Sequence, residues 1–284
     1  MGLDATVMCN CFRDGKTTSP PFPRDWLEID EEGYLHLKPG HDSDDNWHQL
    51  YQWQQDCCAH EQMEYGDERI SNWGGYRQFQ EALGEIGWEF FPVLQDQLPN
   101  GNGGLMDSAK CAQALPELDH FVSQGVVGIK TVLVDSRTGE VLWEYVAAYD
   151  GIVVLAGSLG FDAGLSEFEF FAVARESGED LFRATHFRQY RQDGEKITGD
   201  SDTICWKNLD TGEIYASRLA IAGKAIPWED GNWTNDQGQH RFEYPEELHV
   251  EQRPWPVTDF DFIVTALRKI FQASVETGNP VRWC

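Results

Sequence analysis

Three short phrases in the middle of the chain constrain its fold more than any other feature: Asp135-Ser-Arg-Thr-Gly-Glu-Val141, Glu176-Ser-Gly-Glu-Asp-Leu181 and Asp210-Thr-Gly-Glu-Ile214. Each sets a glycine, which takes a positive φ without steric cost, between β-branched and aromatic runs. The runs are Thr131–Val134 with Val141–Ala147, Phe168–Val173 with Leu181–Phe187, and Thr203–Trp206 with Glu213–Leu219. Such flanks around a tight turn read as antiparallel hairpins, and Asp150-Gly151 before Ile152–Leu155 adds a further turn and strand. One antiparallel meander is therefore expected over residues 126–250, with turns at Gly139, Gly178 and Gly212. The spacing of the phrases is too uneven for a propeller.

Helical periodicity flanks this region. Trp47, Leu50, Tyr51 and Cys58 share one face of an amphipathic helix read over Asp45–Glu64, and Tyr76, Phe79, Leu83 and Ile86 share one on the next. Pro116 is placed at the first turn of a following helix whose core face is Leu118, Phe121 and Val122. At the far end, Thr258 with Asp261 three residues on is an N-terminal signal. Phe260, Ile263, Val264, Leu267, Ile270, Phe271 and Val275 then form a stripe that Gly278-Asn279-Pro280 stops. Residues 3–12 read as a buried strand. The opening Met1-Gly-Leu-Asp-Ala-Thr6 also matches an N-myristoylation pattern, but Ala5, Val7 and Met8 alternate with polar neighbours, which favours the strand. The sum is an α+β class: a single domain of residues 1–284, with a helical part over 45–124, the antiparallel meander, and a C-terminal amphipathic helix over 258–277.

Charge narrows the partners. Twenty-two basic against 48 acidic side chains leave a net charge of −26, on a chain that is 13% aromatic and so carries its acids on a folded body. That surface repels nucleic acid and anionic membranes and attracts basic proteins or cations. Seven cysteines, an odd number, with no charged-then-apolar leader ahead of them, argue against a secreted disulfide framework and for a cytoplasmic setting. No apolar run reaches the roughly 20 residues that span a bilayer. There is no G-x-G-x-x-G, no Walker lysine and no G-x-S-x-G, so nucleotide and serine-nucleophile chemistry lack support.

The densest set of soft ligands lies in two places. Cys9-Asn-Cys11 lies at the end of the first strand, and Cys57-Cys58-Ala-His60-Glu61 ends the first helical pattern. Cys9, Cys11, Cys58 and His60 make a Cys₃His set suited to zinc, with Cys57 as a spare thiol; the alternative is that the cysteines are small core hydrophobes. On a strand, Cys9 and Cys11 share a face, whereas Cys58 and His60 on a helix are about 200° apart. A joint site therefore requires the helix to end near Cys58 and unwind. His60-Glu61-Gln-Met-Glu64 lacks the second histidine of a zinc-protease motif, and a helical His60–Glu64 pair is its plainer meaning. Beyond zinc, no cofactor is called for.

The opening Met1-Gly-Leu-Asp-Ala-Thr-Val-Met-Cys9-Asn-Cys11, the later Cys58-Ala-His60-Glu61 and the closing Glu276-Thr-Gly-Asn-Pro-Val-Arg-Trp283 resemble a family of uncharacterised bacterial proteins that begin M-G-L-D-A-x-V-x-C-x-C and carry a later C-x-H-E. The resemblance touches both ends, implies a bacterial cytoplasmic protein, and singles out the same Cys/His set.

Acids and aromatics also cluster where a partner could dock. The candidates are Asp42, Asp44 and Asp45 before the first helix, and Glu229, Asp230, Trp233, Asp236, Glu243, Glu247 and Trp255 in a loop-rich stretch. Aromatic anchors within a charged rim are how protein interfaces are built, although such a loop can equally pack on its own tryptophans. Three functions are consistent with these features. The first is an acidic binding protein that captures and neutralises a basic protein partner, such as the immunity protein or inhibitor of a bacterial toxin, with no catalytic motif to mark it as an enzyme. The second is a zinc-dependent enzyme or zinc-stabilised domain, and the third is a nucleic-acid mimic.

Overall fold

A computed structural model describes residues 2–284, with Ala148 described by its backbone alone. The class is α+β, with mostly antiparallel sheets and a C-terminal helix. By contact the chain forms two compact units, Met1–Gly128 with Pro256–Cys284, and Ile129–Trp255. No Gly/Ser or Pro-rich linker marks the boundaries between them.

The first unit opens with β1 (Gly2–Met8), a short hairpin of β2 (Leu27–Ile29) and β3 (Leu35–Leu37), and α1 (Asp44–Gln54). It continues through β4 (Glu64–Asn72), α2 (Trp73–Ile86), α3 (Pro92–Gln97), β5 (Leu105–Met106) and α4 (Ser108–Ser123). β1 pairs antiparallel with β4, and Leu3, Ala5 and Val7 along it are fully buried.

Ser43 caps α1 by accepting from Asn46 N, and Asp44 and Asp45 sit in its first turn, where the helix dipole favours negative charge. The helix ends at Gln54, ten residues short of the span read from the sequence, and only Leu50 of its expected face is buried. Trp47 and Tyr51 are exposed, so the stripe does not extend beyond one turn. Consequently His60 and Glu64 are not a helical pair: His60 precedes a 3₁₀ turn and Glu64 begins β4.

In α2, Tyr76, Phe79 and Leu83 are fully buried as the periodicity requires. Pro116 lies inside α4 rather than at a helix start, because the helix begins eight residues earlier, at Ser108, behind Asp107. Leu118 and Phe121 are buried but Val122 faces out. The adjacent Glu117 accepts from Val93 N at 2.9 Å and Leu94 N at 2.8 Å, so a buried carboxylate caps α3.

The second unit holds β6 (Val126–Asp135), β7 (Val141–Glu144), β8 (Ile152–Ala156), β9 (Phe161–Leu165), β10 (Phe170–Ala174) and β11 (Asp180–Ala184). β12 (His186–Arg191), β13 (Ile204–Asn208), β14 (Ile214–Tyr215), β15 (Lys224–Ile226), β16 (Arg241–Glu243) and β17 (Glu247–Pro256) complete it. The three glycine turns close antiparallel hairpins, and Gly139, Gly178 and Gly212 have φ of 74°, 70° and 79°. Asp135 and Asn208 occupy equivalent places: their side chains accept from Arg137 N and Asp210 N, each at 2.8 Å.

The strands do not form one sheet, as the turns alone implied. β8–β11 make a four-stranded meander, while the larger sheet runs β14-β13-β12-β17-β6-β7. β17 inserts between β12 and β6, a long-range pairing that no turn signal announces. Both sheets share one core, in which Phe170 stacks on Phe187 at 4.6 Å and Trp206 meets Phe170 edge-on at 5.2 Å.

The chain then returns to the first unit as α5 (Asp261–Thr277) and β18 (Val281–Trp283). Thr258 does not cap α5; it lies in a 3₁₀ turn, Val257–Phe260, ahead of it. Ile263, Val264, Leu267, Ile270 and Phe271 are buried, and Val275 is exposed at the end of the stripe. α5 packs so closely on β4 that a Cβ at Gly66 would lie 3.1 Å from that of Ala273. β18 joins β1 and β5, giving the sheet order β4-β1-β18-β5.

Candidate metal centre

The β1/β4 ladder ends at the pair Met8–Glu64, and two turns meet just beyond it. Cys9 N donates to Met63 O at 2.7 Å, and the chain then bends through a turn in which Lys16 N donates to Cys11 O at 2.8 Å. On the other side, the segment after α1 folds back so that Gln62 N reaches Gln55 O at 3.3 Å. Gln62 and Met63 both hold positive φ, 52° and 63°. For residues with a Cβ that conformation costs about 1 kcal/mol or more each, and it persists only where the surroundings impose it.

These turns bring together the sulfurs of Cys9, Cys11 and Cys58 and Nδ1 of His60, all within 4.8 Å of one another. The Cys9 and Cys58 sulfurs are 3.8 Å apart, and His60 Nδ1 is 3.3 Å from Cys11 Sγ and 3.9 Å from Cys58 Sγ. A tetrahedron with metal–sulfur bonds of about 2.3 Å and metal–nitrogen bonds of about 2.0 Å has edges of about 3.8 and 3.5 Å. Three of the six donor–donor distances lie within about 0.4 Å of these edges. The sequence argument that Cys58 and His60 point apart fails because neither is helical, and Cys9 and Cys11 lie past the strand rather than on it.

Cys9 and Cys11 are buried, while Cys58 and His60 are half-buried. Burial, reinforced by the neighbouring thiols, pushes Cys9 up to about 12, and burial first, then the neighbouring Cys58, raises Cys11. A bound dication would supply the charge that deprotonates buried thiols such as Cys9 and Cys11. Cys57 is buried and turned toward Gln54 O, outside the set, and burial also pushes it up to about 12.

A polar clamp supports the Cys-Asn-Cys turn. Asn279 Nδ2 donates to Met8 O at 2.7 Å and to Asn10 Oδ1 at 3.2 Å. Asn10 Nδ2 donates to Thr277 O at 2.6 Å, and Arg13 reaches Asn279 Oδ1 at 3.0 Å. Sequence reasoning passed over Asn10, Arg13 and Asn279. The available signal was an amide residue between two ligands and another directly after the helix-stopping glycine.

The other candidate residues are not brought to this set. Asp42, Asp44 and Asp45 are exposed in the first unit. In the second, Glu229, Asp230 and Asp236 are exposed and, with Trp228, Asn235 and Arg241, line an open cleft of about 490 Å³. Trp233 is 60% exposed and Glu243 is exposed. Trp255 is not an exposed anchor; it is 6% exposed, near the end of β17. Glu247 is half-buried and already paired, with Arg188 at 2.8 Å and His186 at 3.0 Å.

No family model, curated protein or solved structure matches the chain. No helix among the described residues is long and apolar enough to cross a membrane.

Proposed function

We propose that Cys9, Cys11, Cys58 and His60 hold one structural Zn²⁺ and that the first unit is a zinc-stabilised domain. The observation that carries this reading is the convergence of four soft donors from two distant turns to within 4.8 Å of one another. Softness favours zinc over calcium or magnesium, and a single histidine with three thiolates suits it well. Four protein donors fill the coordination sphere and leave no position for substrate or water, so the role is structural rather than catalytic. Such a metal contributes directly to folding, because the site does not exist in the unfolded chain. The test is elemental analysis of purified protein. About one zinc per chain is expected, falling sharply in Cys58→Ser and His60→Ala. Zinc well below stoichiometry in protein with reduced thiols would overturn the reading.

A second reading concerns the remaining surface, and the net charge of −26 favours it. The protein then captures a basic protein partner in the bacterial cytoplasm, as the immunity protein of a toxin does. The exposed Glu229, Asp230 and Asp236 beside Trp233 offer charge for steering and an aromatic for anchoring. Association with a basic product of a neighbouring gene should slow steeply as salt rises. Binding indifferent to salt and to charge reversal of these acids would retire it.

A further inference from the structure

We propose that this centre is peroxide-sensitive: oxidation joins Cys9 to Cys58 through a disulfide and expels the metal. The proposal rests on the zinc reading above and concerns the regulation of that site. Four thiols lie in or beside the centre, and their placement makes them unequal. The Cys9 and Cys58 sulfurs touch at 3.8 Å and come from segments 49 residues apart, so joining them closes a large loop without local ring strain. A Cys9–Cys11 or Cys57–Cys58 bond would instead close a small ring, and Cys57 lies outside the four-donor set. Cys11 stands against His60 Nδ1 at 3.3 Å. Access is also unequal. Cys9 and Cys11 are buried, whereas Cys58 is half-buried and so the most open of the three to a small oxidant.

The chemistry balances with hydrogen peroxide as the oxidant. The Cys58 thiolate attacks one peroxide oxygen, the O–O bond breaks, hydroxide leaves and Cys58 becomes a sulfenic acid. The Cys9 sulfur then attacks the Cys58 sulfur, the S–O bond breaks and a second hydroxide leaves. Two protons convert the hydroxides to water, and the two electrons lost by the sulfurs are those gained by peroxide. The metal keeps only Cys11 and His60 and is released. The new bond ties the same two turns that the metal had tied, so the unit stays folded while its zinc is lost.

The experiment treats zinc-loaded full-length protein with a small excess of hydrogen peroxide, follows zinc with a chromophoric indicator, and maps the cysteines by mass spectrometry. The expected result is one zinc released per chain, a Cys9–Cys58 disulfide, and recovery of zinc binding after dithiothreitol. Cys57→Ala should release zinc at the wild-type rate and form the same bond. Disulfides at Cys11 or Cys57, or sulfinic acids in place of a disulfide, would overturn the proposal. Zinc that is bound and stays bound under peroxide overturns it alone; protein that never takes up zinc overturns the zinc reading with it.

Discussion

The Asn279 amide, buried in the loop after α5, donates to the carbonyl of Met8 at 2.7 Å, tying the end of the chain to the residue before the first cysteine. Its second bond, to Asn10 Oδ1, extends the tie into the Cys-Asn-Cys turn. Replacing Asn279 by Ala removes a buried donor from the Met8 carbonyl, at a cost of about 1–3 kcal/mol. Asn279→Asp should cost a similar amount because a carboxylate cannot donate. Urea denaturation measures both, and a loss of only a few tenths would contradict the clamp.

The core of the second unit is aromatic, and Trp206 is central to it: fully buried, against Phe161, Phe170 and Phe182, with its indole N–H on Leu219 O at 3.1 Å. Trp206→Ala should destabilise by about 3–5 kcal/mol. Trp233→Ala, at an exposed site, should stay within about 0.5 kcal/mol. Thermal unfolding of the two variants side by side checks the contrast.

Glu247 gives a pH test. The Arg188 side chain, then His186, holds its carboxyl below its ordinary value of 4.5. The folded state therefore binds this proton less readily than the unfolded chain. The resulting stability is fully present above about pH 4.5 and is lost as pH falls through the lower, folded value. Glu247→Gln should lower the melting temperature slightly near neutral pH, and the difference should vanish in strong acid. A deficit that grows on acidification would contradict the pairing.

Local chemistry was legible in the sequence and long-range pairing was not. The turns at Gly139, Gly178 and Gly212 follow from glycine's access to positive φ, and the buried faces of α2 and α5 follow from helical spacing. The position of β17 between β12 and β6 depends on contacts between residues far apart, and β-branched alternation says nothing of partner choice. At the metal centre the four donors could be named from residue type. Their convergence depends on α1 ending at Gln54 and on left-handed backbone at Gln62 and Met63, which no propensity marks. Trp255 illustrates the opposite error: an acidic neighbourhood read as surface, where the ring is buried.

The central claim is the coordination of one metal by three sulfurs and one nitrogen, and X-ray absorption at the zinc edge of the purified protein tests it most directly. The account predicts a four-coordinate shell of three sulfurs at about 2.3 Å and one nitrogen at about 2.0 Å, with one sulfur lost from that shell in Cys58→Ser. A shell of oxygen and nitrogen alone, or an absorption edge with no bound zinc, would contradict it.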